Sequence, residues 1–360
     1  MDALPLDLKP IEAAKLDPRR YFERVCEKRT PIAAEDPVCL YLETTNRCNL
    51  LCTTCPRTFE ELEPPSDMSW ELFTSIVDQF PNIDRVVLHG VGEPMMVAEL
   101  PRMVKYLKHR GVYVLFNTNG TLMREKKSRE LIEAGLDEMR ISLDAAEPKA
   151  FEAVRGRDLF HRILRNIKNF VALKKRMGAD NPRLSLWLTG LRETLEQLPA
   201  FIRLAHGIGV PEVHLQRLVY FESNPIGLAR QESSLFESRD VIEGKYLLEA
   251  EKIAAGLGVL FDASGAADPE TSLRRLEGGT PWSLCRRPWS LMYFTAHGRA
   301  LPCCVAPFSM HGYENFTLGD AKTTPLRDIW NGDAYRDFRD ALLSESPPQA
   351  CAGCGLRWSL

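Results

Sequence analysis

Between residues 38 and 220, short β-rich runs alternate with stretches whose apolar residues recur at helical spacing. "VCLYLETT" opens the series as a strand. In "SWELFTSIVDQF" apolar residues fall at 72, 73, 76, 77 and 80, a helix period, and Pro81 stops it. "RVVLHG" is strand-like, and "AELPRMVKYLKHRG" is helical, with Gly111 placed as a C-terminal cap. The same exchange continues through strand "VYVLFNTNG", helix "REKKSRELIEAG", strand "EMRISLDA", helix "LFHRILRNIKNFVALKKR", strand "RLSLWLT", helix "LEQLPAFIRLAHGIG" and strand "EVHLQRLVYF". Six strands read as near-continuously apolar, the pattern of a parallel sheet buried on both faces. The expected fold class is α/β: a partial (β/α)6 TIM-like barrel, with a doubly wound open sheet as the other arrangement.

The rest of the chain changes character. Residues 223–240 are polar and irregular, "GKYLLEAEKIAAGLG" is one more helix with "VLFDA" after it, and 263–281 have a linker composition. Beyond them lie an expected hairpin ("LMYFTAHGRALPCC", turning at His297 and Gly298) and an expected helix ("TPLRDIWNGDAYRDFRDALL"). The expected organisation is an N-terminal extension (1–37), the barrel core (38–230), a connecting helix and linker (231–281) and a small C-terminal α+β domain (282–360).

A net charge of −3 argues against broad polyanion binding, so no nucleic acid is expected. The first residues carry acids and no apolar core, and no apolar run reaches the ~18–20 residues of a bilayer span, so no membrane is expected and the chain is read as cytoplasmic. Ten cysteines in a reducing compartment point to metal or redox chemistry before disulfides.

Three of them, Cys48, Cys52 and Cys55, form "CNLLCTTC" just after the first strand. In a parallel barrel that is the C-terminal rim, where active sites form. Structural zinc takes four ligands, so a zinc reading borrows partners from the C-terminal cysteines. A cubane iron–sulfur cluster on three thiolates keeps one iron open for a small molecule.

The CxxxCxxC spacing resembles the signature of the radical S-adenosylmethionine (SAM) enzymes. Thr54 stands where many members carry an aromatic residue. "HGVGEP" (89–94), after the second strand, resembles the family's Gly-Gly-Glu-Pro element, with Val91 in place of the first glycine. "NTNG" (117–120) resembles its turn near the SAM ribose, and "SLDA" (142–145) with "VRG" its carboxylate-binding pair. The resemblance implies a [4Fe–4S] cluster on Cys48, Cys52 and Cys55 whose open iron chelates SAM. It implies that Gly92 and Glu93 meet the SAM ammonium, Thr118 and Asn119 line the ribose turn, and Ser142 and Arg155 contact the SAM carboxylate, with Asp144 facing ribose or substrate. It further implies reductive cleavage of SAM to a 5′-deoxyadenosyl radical that abstracts hydrogen from the substrate.

The C-terminal cysteines resemble the SPASM or twitch region of such enzymes. Gly298 follows Cys285 by thirteen residues, Cys303 follows Gly298 by five, and "CAGC" supplies Cys351 and Cys354. These four imply one auxiliary [4Fe–4S] cluster, closed to substrate, for electron transfer or support. On a strand, neighbours point to opposite faces, so Cys304 is either a small buried hydrophobe or a thiol donating hydrogen near the substrate. Cys26 and Cys39 read as structural thiols. His89 touches cofactor or substrate or packs in the barrel. One of Gln216 and Arg217 is expected to point inward, and Trp187 is core or barrel lining.

Because only residues 1–37 precede the first strand, too few for a winged-helix precursor-binding module, the expected substrate is a small polar metabolite (sugar, aminocyclitol or nucleotide), oxidised or epimerised. Modification of a ribosomally made peptide or protein is the alternative, and a non-catalytic iron–sulfur electron carrier a third. An electron donor such as flavodoxin or ferredoxin is the expected protein partner.

Overall fold

The computed structural model describes residues 29–220, 225–235, 241–264, 280–309, 312, 316–352 and 354. Cys26 and most of the 263–281 linker lie outside them. The strands are β1 (Cys39–Leu42), β2 (Arg85–Val87), β3 (Tyr113–Thr118), β4 (Glu138–Ser142), β5 (Arg183–Gly190), β6 (Glu212–Arg217), β7 (Leu260–Ala263), β8 (Leu291–Phe294), β9 (Arg299–Leu301) and β10 (Gly319–Asp320). They form one sheet in the order β10-β9-β8-β1-β2-β3-β4-β5-β6-β7. Neighbours from β1 to β7 are parallel, and each of β1 to β6 is followed by a crossover helix in the barrel manner.

The six expected strands are present, and two more join the parallel set. β7, formed by the run after helix α7 (Val241–Leu257), pairs with β6. β8, from the C-terminal region, pairs in parallel with β1, Cys39 opposite Leu291 and Leu42 opposite Phe294. The hairpin β8–β9 then turns at Gly298, whose φ of 88° suits glycine. The C-terminal module is thus stitched to the barrel through the sheet itself.

The remaining barrel helices are α1 (Trp70–Val77), α2 (Leu100–His109), α3 (Glu125–Glu133), α4 (Pro148–Arg155), α5 (Phe160–Arg176) and α6 (Leu198–Gly207). Ser69 caps α1, its hydroxyl accepting from Leu72 N–H at 3.1 Å. Their apolar faces bury Phe73, Ile76, Leu107, Phe151, Ile167 and Phe201 against the outer face of the sheet.

The inner face differs from the expected apolar run. Glu138, Arg140, Ser142 on β4, Arg183, Ser185, Trp187 on β5, and Glu212, His214, Gln216 on β6 alternate into the lumen, while Met139, Ile141, Leu184, Leu186 and Leu215 face the helices. Charge is tolerated inside because it is paired. Arg140 Nε donates to Glu138 at 2.6 Å, and Arg183 bridges Glu138 (3.3 Å) and Glu212 (3.2 Å).

The expected C-terminal helix is two helices, Leu326–Trp330 and Asp333–Leu342. Gly332 interrupts them: a Cβ there would meet the Asp328 carbonyl oxygen at 2.5 Å. Among the described residues no helix is long and apolar enough to cross a membrane.

Candidate active site

The cysteine loop leaves β1 and is held by carbonyls that three glycines allow to approach. A Cβ on Gly92 would lie 2.2 Å from Thr45 O, on Gly156 2.3 Å from Leu51 O, and on Gly227 2.1 Å from Thr53 O. Thr53 is clamped on both sides, its N–H donating to Val154 O at 2.8 Å and its carbonyl accepting from Leu228 N–H at 2.7 Å. Arg57 donates to Leu50 O. So the end of α4 and residues 225–230, the latter within the stretch read from sequence as a connection, form the cradle. The sequence signal was only a glycine in "NPIGLAR".

Cys48, Cys52 and Cys55 line one cavity of about 920 Å³ at the rim of the barrel. Asn119 Nδ2 points at Cys48 Sγ (3.8 Å) and Arg155 Nη1 at Cys52 Sγ (3.7 Å), so two donors already face sulfur. Burial, with Cys52 beside it, pushes the Cys55 thiol up to about 12, and burial raises Cys48 as well. Thiols gathered like this ionise when a bound cation compensates them. The donor set, three thiols of one loop bordering a shared cavity, therefore fits an iron–sulfur cluster.

The four rim elements converge on that cavity. Gly92, Glu93, Thr118, Asn119, Ser142, Asp144 and Arg155 all line it. The Glu93 carboxylate accepts from Thr118 Oγ1 (2.7 Å), Asn119 N–H (2.7 Å) and Met95 N–H (3.0 Å), locking the 89–94 turn to the 117–120 turn. Burial raises its pKa and these donors pull against it. Asp144 has φ 62°, rare for a residue with a Cβ, and receives Thr189 N–H at 2.7 Å. It pairs with Arg155 at 2.7 Å. Burial works against the Arg155 charge, but Asp144 and Cys52 outweigh it and leave the guanidinium firmly charged.

Deeper in the cavity, Trp187 lines the lumen, stacked on His214 at 4.0 Å and capped by Arg140 at 4.4 Å. His89 lies almost parallel to Phe308 and is kept neutral, its pKa lowered to about 4 by burial and then by Arg140. Both Gln216 and Arg217 line the cavity, Arg217 being the last residue of β6.

The C-terminal cysteines gather elsewhere. Cys351 is raised by burial and then by Cys285, Cys303 and Cys354, which places the four within electrostatic reach of one another. Cys304 faces the opposite way. It lines the cavity with Tyr41, which hydrogen-bonds it, while Cys303 does not. The pair follows β9 in a turn rather than lying on the strand, so a turn separates them instead of strand alternation.

Residues 42–205 match the Radical SAM superfamily and residues 285–355 the SPASM iron-sulfur cluster-binding domain. The chain is 24% identical over 329 residues to the tungsten-containing aldehyde ferredoxin oxidoreductase cofactor-modifying protein of Pyrococcus furiosus, covering 88% of this chain and 87% of that protein. It is 25% identical over 324 residues to the PqqA peptide cyclase of Gluconobacter oxydans, covering 88% and 82%. The structure of SuiB from Streptococcus suis bound to its precursor peptide SuiA superposes with a TM-score of 0.60 at 15% identity, covering 90% of this chain and 70% of that one.

These relatives overturn the expected small polar metabolite and, with it, the small-molecule partner: one relative is named for a peptide and another was captured holding one. The expectation failed for a physical reason. A precursor-binding module delivers a peptide, whereas the barrel transforms it, so a short segment ahead of the barrel carries no information about substrate class. Residues 42–205 thus form a radical SAM domain and residues 285–355 a SPASM domain, the make-up of an enzyme that uses SAM and [4Fe–4S] clusters.

Proposed function

We propose that the enzyme modifies a ribosomally made peptide or protein, in the reducing cytoplasm, with Cys48, Cys52 and Cys55 holding the SAM-binding cluster and Cys285, Cys303, Cys351 and Cys354 the auxiliary one. The carrying observation is a single cavity shared by three thiols of one loop, the 89–94 and 117–120 turns, the Asp144–Arg155 pair and a polar barrel lumen. When bound, SAM and its cluster supply radical hydrogen abstraction. The chain's own residues bind and orient. Arg155 offers a carboxylate-binding charge already anchored by Asp144, and Glu93 fixes the turn that presents Gly92. Arg140, Trp187, His214 and Gln216 give the lumen both charge and an aromatic face for a peptide side chain. Support for a peptide comes from PqqA peptide cyclase and from SuiB with its precursor. A flavodoxin or ferredoxin is the proposed electron donor.

Anaerobically reconstituted protein given dithionite and SAM is expected to release 5′-deoxyadenosine, and replacing Cys48, Cys52 and Cys55 by alanine to abolish it while the other cluster remains. Candidate peptides encoded beside the enzyme are expected to change mass only when SAM is present. Unchanged peptides together with turnover of a free metabolite would sink the peptide reading.

A further inference from the structure

Glu43 stands between β1 and the cysteine loop, and its side chain is fully buried. Its carboxylate gathers three donors from two distant parts of the chain. Oε2 accepts from Val91 N–H at 2.9 Å and from the Tyr293 hydroxyl at 2.8 Å, and Oε1 accepts from Ala296 N–H at 3.1 Å. Its own N–H donates to Phe294 O at 2.9 Å. Gly90 exists to admit it: a Cβ there would sit 2.2 Å from Glu43 Cγ and 2.3 Å from Oε2.

Burying a carboxylate is costly, and an apolar side chain would fill the same space without that cost. What an apolar residue could not do is bind the 89–94 turn on one side and the β8–β9 hairpin on the other. The two glycines of the turn then have complementary tasks. Gly90 makes room for the Glu43 side chain, and Gly92 lets the turn rest on the Thr45 carbonyl.

We propose that Glu43 is a positioning residue for SAM. It pins the backbone of the 89–94 turn to Tyr293 and Ala296 of the C-terminal module, so that SAM affinity depends on a hairpin outside the SAM site. The proposal rests on the reading of that turn as SAM-binding. Glu43 acts through Val91 and its neighbours rather than by touching the cofactor.

The test uses the full chain, reconstituted anaerobically, with SAM as the probe. Its readouts are the SAM Kd, iron content, and the change that SAM causes in the electron paramagnetic resonance of the reduced cluster. Glu43→Gln puts an amide NH2 against one of the three donors, and an unmet buried N–H should weaken SAM binding about tenfold with iron retained. Tyr293→Phe removes one hydroxyl outside the SAM turn. It is expected to weaken SAM binding about three- to tenfold and to shrink the spectral change. A SAM Kd within about twofold of wild type in both variants overturns the proposal. If Glu43→Gln does not retain its iron, Tyr293→Phe decides alone on the same criterion. Wild-type protein that binds no SAM would sink the SAM reading of the turn, a failure visible before any variant is compared.

Discussion

At the scale of single residues, the site depends on absent side chains as much as on present ones. Gly92, Gly156 and Gly227 each face a carbonyl of the cysteine loop at a distance no Cβ could occupy. Gly92→Ala must push the Thr45 backbone aside, an overpacking cost of about 1–3 kcal/mol. It is expected to lower the thermal midpoint and to cut the iron bound at the three-cysteine loop, read by iron analysis in a variant that also lacks the four C-terminal cysteines. Gly207, where a Cβ would meet nothing within 4 Å and the backbone is helical, is the contrasting site. The cysteines, Glu93 and Arg155 were legible in sequence because their spacing and order are themselves the signal. Glu43 was not, since a lone glutamate at a strand end carries no pattern, and its meaning lies in Tyr293 and Ala296 far along the chain.

At the scale of elements, periodicity found the helices and strands wherever one face is apolar. The strands around the lumen were found as well, but they were read as apolar on both faces where one face is charged. Glu138, Arg140 and Arg183 look like solvent-facing positions until their mutual pairing is seen. Periodicity also merged Leu326–Trp330 with Asp333–Leu342, because apolar spacing continues across the break that Gly332 makes. The second of these helices is anchored by Arg339, fully buried, whose Nε donates to Pro288 O at 2.9 Å and whose Nη1 donates to Pro31 O at 3.2 Å. Its guanidinium lies 4.2 Å from Trp330 and 4.9 Å from Tyr335. Removing it leaves carbonyls and two aromatic faces without their partner. Arg339→Ala should cost about 2–4 kcal/mol and expose the C-terminal module to proteolysis before the barrel unfolds.

At the scale of the whole molecule, two groups lining the lumen shape how stability responds to acid. His89 is lowered from 6.5 to about 4, by burial and then by Arg140, so the unfolded chain takes up a proton that the folded one refuses. Its contribution is full above 6.5 and is lost as pH falls towards 4. Glu138 is opposed by burial, yet Arg140 and Arg183 bring it from 4.5 down to about 2. Its contribution is full above 4.5 and fades as pH falls towards 2. Thermal midpoints measured across pH are therefore expected to fall in two stages. His89→Gln should flatten the upper stage, and the gap between wild type and Glu138→Gln should close across the lower one.

The place of β1 in the sheet bears on how the protein is made. Its neighbours are β2, which follows within 50 residues, and β8, whose Leu291 pairs with Cys39. As the chain leaves the ribosome, the barrel strands can assemble in sequence, but one edge of β1 stays bare until β8 has emerged. The cysteine loop hangs from that half-covered strand. That strand gains its second neighbour only when β8 has emerged, so the loop is more pliable early in synthesis than after β8 has paired. Starving cells of iron during synthesis and restoring it later should thus yield less loaded enzyme than continuous supply.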